Sequence, residues 1–302
     1  MIAAIRVNMV ELTTTEQALL LAGSFLLFTL LESIIPLLQV KYKRIRHTGI
    51  NLFFIVTSII VSLPFAFLAV HSSDWVMKHQ VGILNMVQLP GWLYIITGFM
   101  LLDFLTSYLP HFIQHKIKWM WKFHLVHHTD NWVDTSTANR HHPGETVISM
   151  LFLVAAIFLV GAPAWLVILH QFIAAAFSQF THANISLPRK LDNAISWIFI
   201  SPNMHKVHHH HIQPLTDTNY GNIFSIWDRL FKTFARSDVS NLKYGIDTHP
   251  HEDEHNNMGK LLVIPFEQYR PPTSAPNENM KDLHPQRSKS IEIIKSPIPS
   301  QV

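Results

Sequence analysis

The sequence predicts an all-α, polytopic membrane helical bundle of about four to five spanning helices, with a cytoplasmic helical cap that holds a histidine-rich site. Three observations predict it. Apolar residues are gathered in long blocks. Charged residues make up 14% of the 302 positions, against about 25% in soluble domains. Basic residues cluster at the edges of the apolar blocks, as the positive-inside rule leads one to expect. The small net charge of +3 therefore supports a membrane topology and argues against nucleic-acid binding. Cysteine is absent, which excludes disulfides, iron–sulfur clusters and cysteine-bound zinc.

Taken in order, residues 1–16 carry Arg6 and Glu11 and no apolar run, so they are predicted not to be a cleaved signal peptide. Ala18 to Leu38, broken only by Glu32 and Pro36, is long enough to cross about 30 Å of hydrocarbon. Lys41, Lys43, Arg44 and Arg46 follow at once and place that loop in the cytoplasm. Asn51 to Val70 forms a second span with Pro64 as a tolerated kink. His71 to Leu89 has Lys78 as its one basic residue and reads as an external loop. Pro90 to Pro110 is a third span, and Asp103 within it is a functional or helix-packing candidate. Thr146 to Ser186 has no charged residue and breaks at Gly161-Ala162-Pro163, predicting a hairpin of two short helices. After Arg189 and Lys190, the amphipathic LDNAISWIFI is expected to lie in the membrane interface. Residues 216–234 are expected to fold back over the site, with a turn at Asn219-Tyr220-Gly221. From about residue 270 the chain is polar and predicted to be disordered. The resulting division is 1–90 for N-terminal spanning helices, 91–236 for a catalytic domain and 237–302 for a polar tail.

Histidine, at 21 residues, is the compositional outlier. His111 and His115 are four apart, and His124, His127 and His128 follow the i, i+3, i+4 spacing that His205, His208 and His209 repeat. Each set can aim several imidazoles at one point from a helix face. His182 follows the hairpin, which returns it to the same face, and His142 completes the candidates. The ten ligands His111, His115, His124, His127, His128, His142, His182, His205, His208 and His209 exceed the six that an octahedral ion takes. Two metals are the economical reading. Asp103, Asp130, Asp134, Asn184 and Glu145 are the candidate acceptors for ring nitrogens that face away from metal. His170 lies too deep and is assigned to packing. His47, His71, His79, His249, His251, His255 and His284 are read as solvated.

Neutral imidazole suits zinc, copper, iron or nickel. With iron, such a pair can reduce dioxygen and attack an unactivated C–H bond, which is most of what a lipid chain offers. The chain has no G-x-G-x-x-G fingerprint and no cysteine for a cluster, so electrons must come from a separate donor. A histidine-rich membrane metal transporter or metal-binding protein is the alternative, but transport needs polar ligands midway through several spans. A zinc hydrolase would need an H-E-x-x-H signature, which is missing.

The motifs His111/His115, His124/His127/His128, Arg140/His142/Pro143/Glu145, His182/Asn184 and Met204/His205/Val207/His208/His209, with the downstream DTNYGNIFSIWDRLF, resemble the fatty acid hydroxylase and sterol desaturase superfamily of integral-membrane di-iron enzymes. The resemblance covers roughly residues 95–236. It implies two histidine-bound iron ions, with zinc able to substitute in preparations, and O2 as co-substrate. It further implies a cytochrome b5-like or ferredoxin-like donor and hydroxylation or desaturation of a fatty acyl or sterol-like substrate. Two departures stand out: Phe112 replaces the family's usual Arg, and the interval from Asp103 to His111 is one residue longer.

Overall fold

In hydrocarbon no water can replace a missing backbone hydrogen bond, so apolar runs close their amides within helices. The computed structural model describes residues 14–39, 42–239 and 242–273. The expectations for residues 1–16 and for the tail beyond residue 270, His284 included, fall largely outside them. Among the described residues, five helical segments are long and apolar enough to cross a membrane: Thr15–Ile34, Arg44–Met86, Gly91–Lys116, Pro143–Val160 and Ala164–His182. Leu26, Phe67, Ile96 and Leu151 stay exposed on their outer faces, the surface such helices turn to lipid.

Helix α1 covers Thr14–Ile34 and α2 covers Arg44–His79. The second is far longer than the Asn51 to Val70 span expected, about 54 Å at about 1.5 Å per residue, and Pro64 lies inside it. Most of the expected external loop is therefore helix. The reason is packing. Ala69 and Val76 of α2 share a core with Leu84 of the short α3 (Ile83–Met86) and with Leu153, Ile157 and Val160 of α7 (Pro143–Val160). Beyond α7, Gly161 takes the left-handed conformation with φ 72°, favourable only without a Cβ. It packs so tightly on the Val81–Gly82 turn that a side chain at Gly82 would collide with the Gly161 backbone, and one at Gly161 with the Val81 carbonyl. Helix α8 (Ala164–His182) then returns the chain, completing the expected hairpin.

Helix α4 (Gly91–Asp103) runs through a π-helical turn, Phe104–Tyr108, into α5 (Leu109–Lys116). A π-turn takes up one extra residue inside a continuous helix. It lies between Asp103 and His111, and so sets the rotation of α5 relative to α4. Without it, His111 would be rotated by about 100° around the axis.

The cap is made of α6 (Lys118–His128), α9 (Arg189–Ser196), α10 (Pro202–His208) and α11 (Ile226–Leu230), followed by α12 (Glu252–Asn256) and α13 (Met258–Val263). Ser201 caps α10 by accepting from Met204 N at 3.2 Å, with Pro202 in the first turn where its missing N–H costs nothing. Leu261 and Ile264 pack with Ile50, Phe54, Leu125 and Val126, so the segment after residue 237 is partly folded against α2 and α6.

Three histidines expected in solvent are buried instead: His47, His249 and His255. His47 sits between Asp130 at 2.8 Å and Asp134 at 3.3 Å. His255 faces Asn131 at 2.7 Å, and its carbonyl accepts from the buried Arg140 at 2.6 Å. These partners are distant in sequence, which is why a local polar composition misrepresented them. His71, His79 and His251 are exposed. Burial pushes the Asp130 carboxyl up, but the His47 ring and Arg140 outweigh it and hold the group well below the usual carboxylate range.

Glu32 near the end of α1 performs a similar task. One oxygen accepts from Thr135 N, Thr135 Oγ1 and Asn184 N at 2.6, 2.7 and 2.9 Å, and the other pairs with Arg44 at 2.8 Å. Replacing Glu32 by Leu strands two backbone amides. The expected loss is about 2–4 kcal/mol, read as a lower thermal unfolding midpoint in detergent.

Candidate metal centre

The histidines sort into two groups. In the first, one ring nitrogen each from His111, His115, His124, His128 and His208 lies within 4.8 Å of all the others. The same limit encloses the second group, His127, His182, His205 and His209. The helical step explains the partition: positions i and i+4 sit about 40° apart and i+3 falls on the other side. Thus α6 sends His124 and His128 to the first group and His127 to the second. The second motif reverses the pattern, with His205 and His209 in the second group and His208 in the first. Helix α5 adds its i, i+4 pair to the first, and His182 at the end of α8 joins the second.

Acceptors behind the rings decide which nitrogen faces inward. His111 Nδ1 donates to the Tyr220 carbonyl at 2.8 Å, His208 Nδ1 to the Thr218 carbonyl at 2.7 Å, His115 Nδ1 to Asp217 at 3.2 Å and His124 Nδ1 to Glu145 at 2.6 Å. Each of these rings is left with an Nε2 lone pair pointing inward. The Nε2 atoms of His111, His115, His124, His128 and His208 are all buried with no hydrogen-bond partner. In the second group, His182 Nδ1 donates to the Ser178 carbonyl at 2.7 Å. Its Nε2 then meets the Nε2 atoms of His205, His209 and His127 at 3.0, 3.1 and 3.2 Å. One lone pair cannot accept from three neighbours. A cation satisfies all four, and bonds of about 2.0–2.1 Å to a metal place donor atoms about 3.0–3.4 Å apart. Both groups fit a metal ion on this test.

Burial, aided by neighbouring imidazoles, pushes His127, His128, His205 and His209 well below the ordinary histidine range, and His208 down to about 3. Neutral rings are the form that binds metal. Lys206, buried between two of the histidines, is pulled down by burial to about 7. Its Nζ donates to the carbonyls of His182, at 3.2 Å, and Ala183, holding the end of α8. Asp228, raised by burial to about 6, accepts from Tyr220 N, Gly221 N and Thr233 Oγ1 at 2.8, 2.9 and 2.7 Å. It thereby anchors the turn whose carbonyls hold His111 and His208.

Nine of the ten expected ligands are brought together. His142 is the correction. With Pro143 in the first helical turn, His142 becomes the N-cap of α7: its Nδ1 accepts from Gly144 N at 2.9 Å and its Nε2 faces the Leu262 carbonyl at 3.2 Å. The ring near the site is its neighbour, His141, which stacks on His127 at 4.7 Å between centroids and shares Glu145 with His124. The i, i+4 spacing of His141 and Glu145 was the available signal. Of the expected acceptors Glu145 serves the groups. Asp130 and Asp134 hold His47, Asn184 meets the backbone of Leu37 and Leu38, and Asp103 accepts from Trp227 Nε1 at 2.8 Å with His170 Nε2 3.7 Å away.

A bundle of membrane-length helices that ends in two buried groups of imidazoles defines a class of histidine-rich membrane protein with two places that could hold a metal ion. Comparison narrows the class. Residues 95–233 match the model of the fatty acid hydroxylase family. Ornithine lipid hydroxylase OlsE of Rhizobium tropici is 26% identical over 140 residues, 46% of this chain and 41% of that protein. Alkylglycerol monooxygenase of Caenorhabditis elegans is 28% identical over 128 residues, 42% of this chain and 24% of its own length. A cholesterol 25-hydroxylase-like protein of Caenorhabditis briggsae is 29% identical over 119 residues, covering 39% and 38%. The chain thus spans less than half the length of these relatives. No solved structure is a significant match. The match and the relatives make residues 95–233 similar to the fatty acid hydroxylase and sterol desaturase superfamily.

Two predictions follow the geometry. His127→Ala and His208→Ala each remove a nitrogen from one group alone, so metal analysis should find about one ion fewer per chain than in the wild type, whereas His142→Ala should keep the wild-type content. In metal-free protein the pH response is signed. An unfolded histidine gains its proton near pH 6.5, while the buried rings of His127, His128, His205, His208 and His209 stay neutral to far lower pH. Stability is then complete above about pH 6.5 and lost as pH falls towards the folded value of about 3 for His208. Thermal unfolding of metal-free protein should show a midpoint that declines steadily from pH 7 to pH 5.

Proposed function

We propose that this protein is a membrane-bound, non-haem di-iron monooxygenase that hydroxylates a lipid, drawing on O2 and an external electron donor. The observation that carries the reading is the first histidine group: five inward Nε2 atoms, buried and without partners, four of them on rings tethered through Nδ1. The second group fits a second ion in the same way, and iron is the metal the family resemblance implies. Iron at these positions supplies the redox chemistry needed to activate O2 against a C–H bond.

The protein's own residues hold and orient. Tyr220 and Thr218 present carbonyls, and Asp217 and Glu145 carboxylates, that keep the metal-facing nitrogens unprotonated. Asp228 fixes the turn carrying two of those carbonyls. His111 and His115 lie at the end of a membrane-length segment, Gly91–Lys116, so the site begins where the hydrocarbon ends. A lipid can keep its chain among the helices and offer one carbon to the site. The overall change is RH + O2 + 2 electrons + 2 protons → ROH + H2O. Hydroxylation is favoured over desaturation because the relatives named above are hydroxylases or monooxygenases. The histidine face is assigned to the cytoplasm by the basic loop at Lys43, Arg44 and Arg46.

The test is lipid mass spectrometry of cells expressing the protein under 18O2. A lipid heavier by one labelled oxygen, absent with His124→Ala, is the expected result. A loss of two hydrogens without label would replace hydroxylation with desaturation, and no O2-dependent change would remove the oxygenase reading.

A further inference from the structure

One aromatic side chain connects the first histidine group to the outer surface. Trp121 on α6 is half-buried, and its ring lies 4.7 Å from His115, 5.3 Å from His128 and 6.1 Å from His124 between centroids. It therefore borders three of the five imidazoles. Trp121 also lines a small surface cavity of about 150 Å³, together with His115, Lys116, Lys118, Asp217 and Tyr269. Asp217 gives His115 a second link to that cavity. Its carboxylate takes the His115 Nδ1 proton at 3.2 Å, accepts from Lys116 at 3.0 Å and is partly exposed. The other Nδ1 acceptors in the first group are the buried Glu145 and two backbone carbonyls.

The rim of this opening is basic. Lys118 lines it, and Lys122, next to Trp121 on α6, lines the adjoining depression on the other side of the indole; among the described residues neither is in an ion pair, while Lys118 Nζ lies 5.3 Å from the Tyr269 ring centroid. The acidic groups of the cavity are already engaged: Asp217 as above, and Asp247 by Thr273 N and Oγ1. A negatively charged partner thus meets ammonium groups that no carboxylate pairs, beside an indole that reaches the histidines.

We propose that electrons enter here: an acidic one-electron carrier protein docks on Lys118 and Lys122, and Trp121 is the contact through which the first histidine group is reduced. The proposal rests on the di-iron reading. In each docking event the carrier is oxidised by one electron and the metal site reduced by one. Two events supply the pair of electrons that, with two protons from water and one O2, convert C–H to C–OH and the second oxygen atom to water.

The experiment uses the full chain in nanodiscs and the acidic soluble haem domain of cytochrome b5 as probe. With zinc-loaded, redox-silent protein, binding of the probe should weaken as salt rises and fall about tenfold or more in Lys118→Glu/Lys122→Glu, in keeping with electrostatic steering. With iron-loaded protein, stopped-flow reoxidation of the reduced probe should slow about tenfold or more in that variant at unchanged iron content. Reduction by dithionite should be unchanged in it, because a small reductant needs no docking. Trp121→Leu should slow reoxidation of the probe while leaving its binding intact, and Trp121→Phe should restore most of the rate. Wild-type binding and reoxidation in all these variants, with iron bound and dithionite effective, would overturn the entry site while sparing the di-iron reading. Dithionite reduction without any probe reoxidation in the wild type would do the same. A wild-type chain that binds no iron would bring down both.

Discussion

Everything in this molecule depends on burying nine imidazoles in two groups: the five inward Nε2 atoms of the first have no protein partner, and the four of the second crowd on one another. Leaving buried polar atoms unsatisfied costs free energy, and the fold concentrates that cost in two places. It tolerates them by fixing the outer nitrogens of five rings: carbonyls of Thr218 and Tyr220, carboxylates of Asp217 and Glu145, and the Ser178 carbonyl behind His182. The histidines are then poised for a cation before one arrives.

The scaffold around the rings is held by polar groups that tie remote elements together. Glu32 of α1 accepts from Thr135 and Asn184. Arg140 donates to Val126, Asn51, Thr129 and His255. Asp228 holds the turn at Tyr220 and Gly221, while Asn219 donates to the carbonyls of Met204 and Ala235. In each case a side chain serves backbone groups from other parts of the chain. The closing segment, residues 216–234, therefore does more than cover the site: it supplies the acceptors for His111, His115 and His208.

Periodicity made the helices and most of the site readable in advance. The spacing of His111/His115 and of the two H-x-x-H-H motifs pointed to rings that the structure gathers, and their number made two metals the economical reading. The same spacing contains the split between groups, since i and i+4 lie closer around the axis than i+3 does; reading each triplet as converging on one point concealed it. Pro143 was also a sufficient signal to make His142 a cap. Other features could not be read locally. The acceptors at Thr218 and Tyr220 are backbone carbonyls, which every residue has. The extra turns of α2 depend on a core shared with α7, and the burial of His47 depends on Asp130 and Asp134, more than eighty residues away.

The relatives support lipid hydroxylation, and the unpartnered nitrogen atoms support a metal at each histidine group. The most direct test of the account is an anomalous difference map from crystals of iron-loaded protein, collected at the iron edge. It should show two peaks, one bounded by Nε2 of His111, His115, His124, His128 and His208, the other by Nε2 of His127, His182, His205 and His209. A single peak, or iron bound away from these nitrogens, would contradict it.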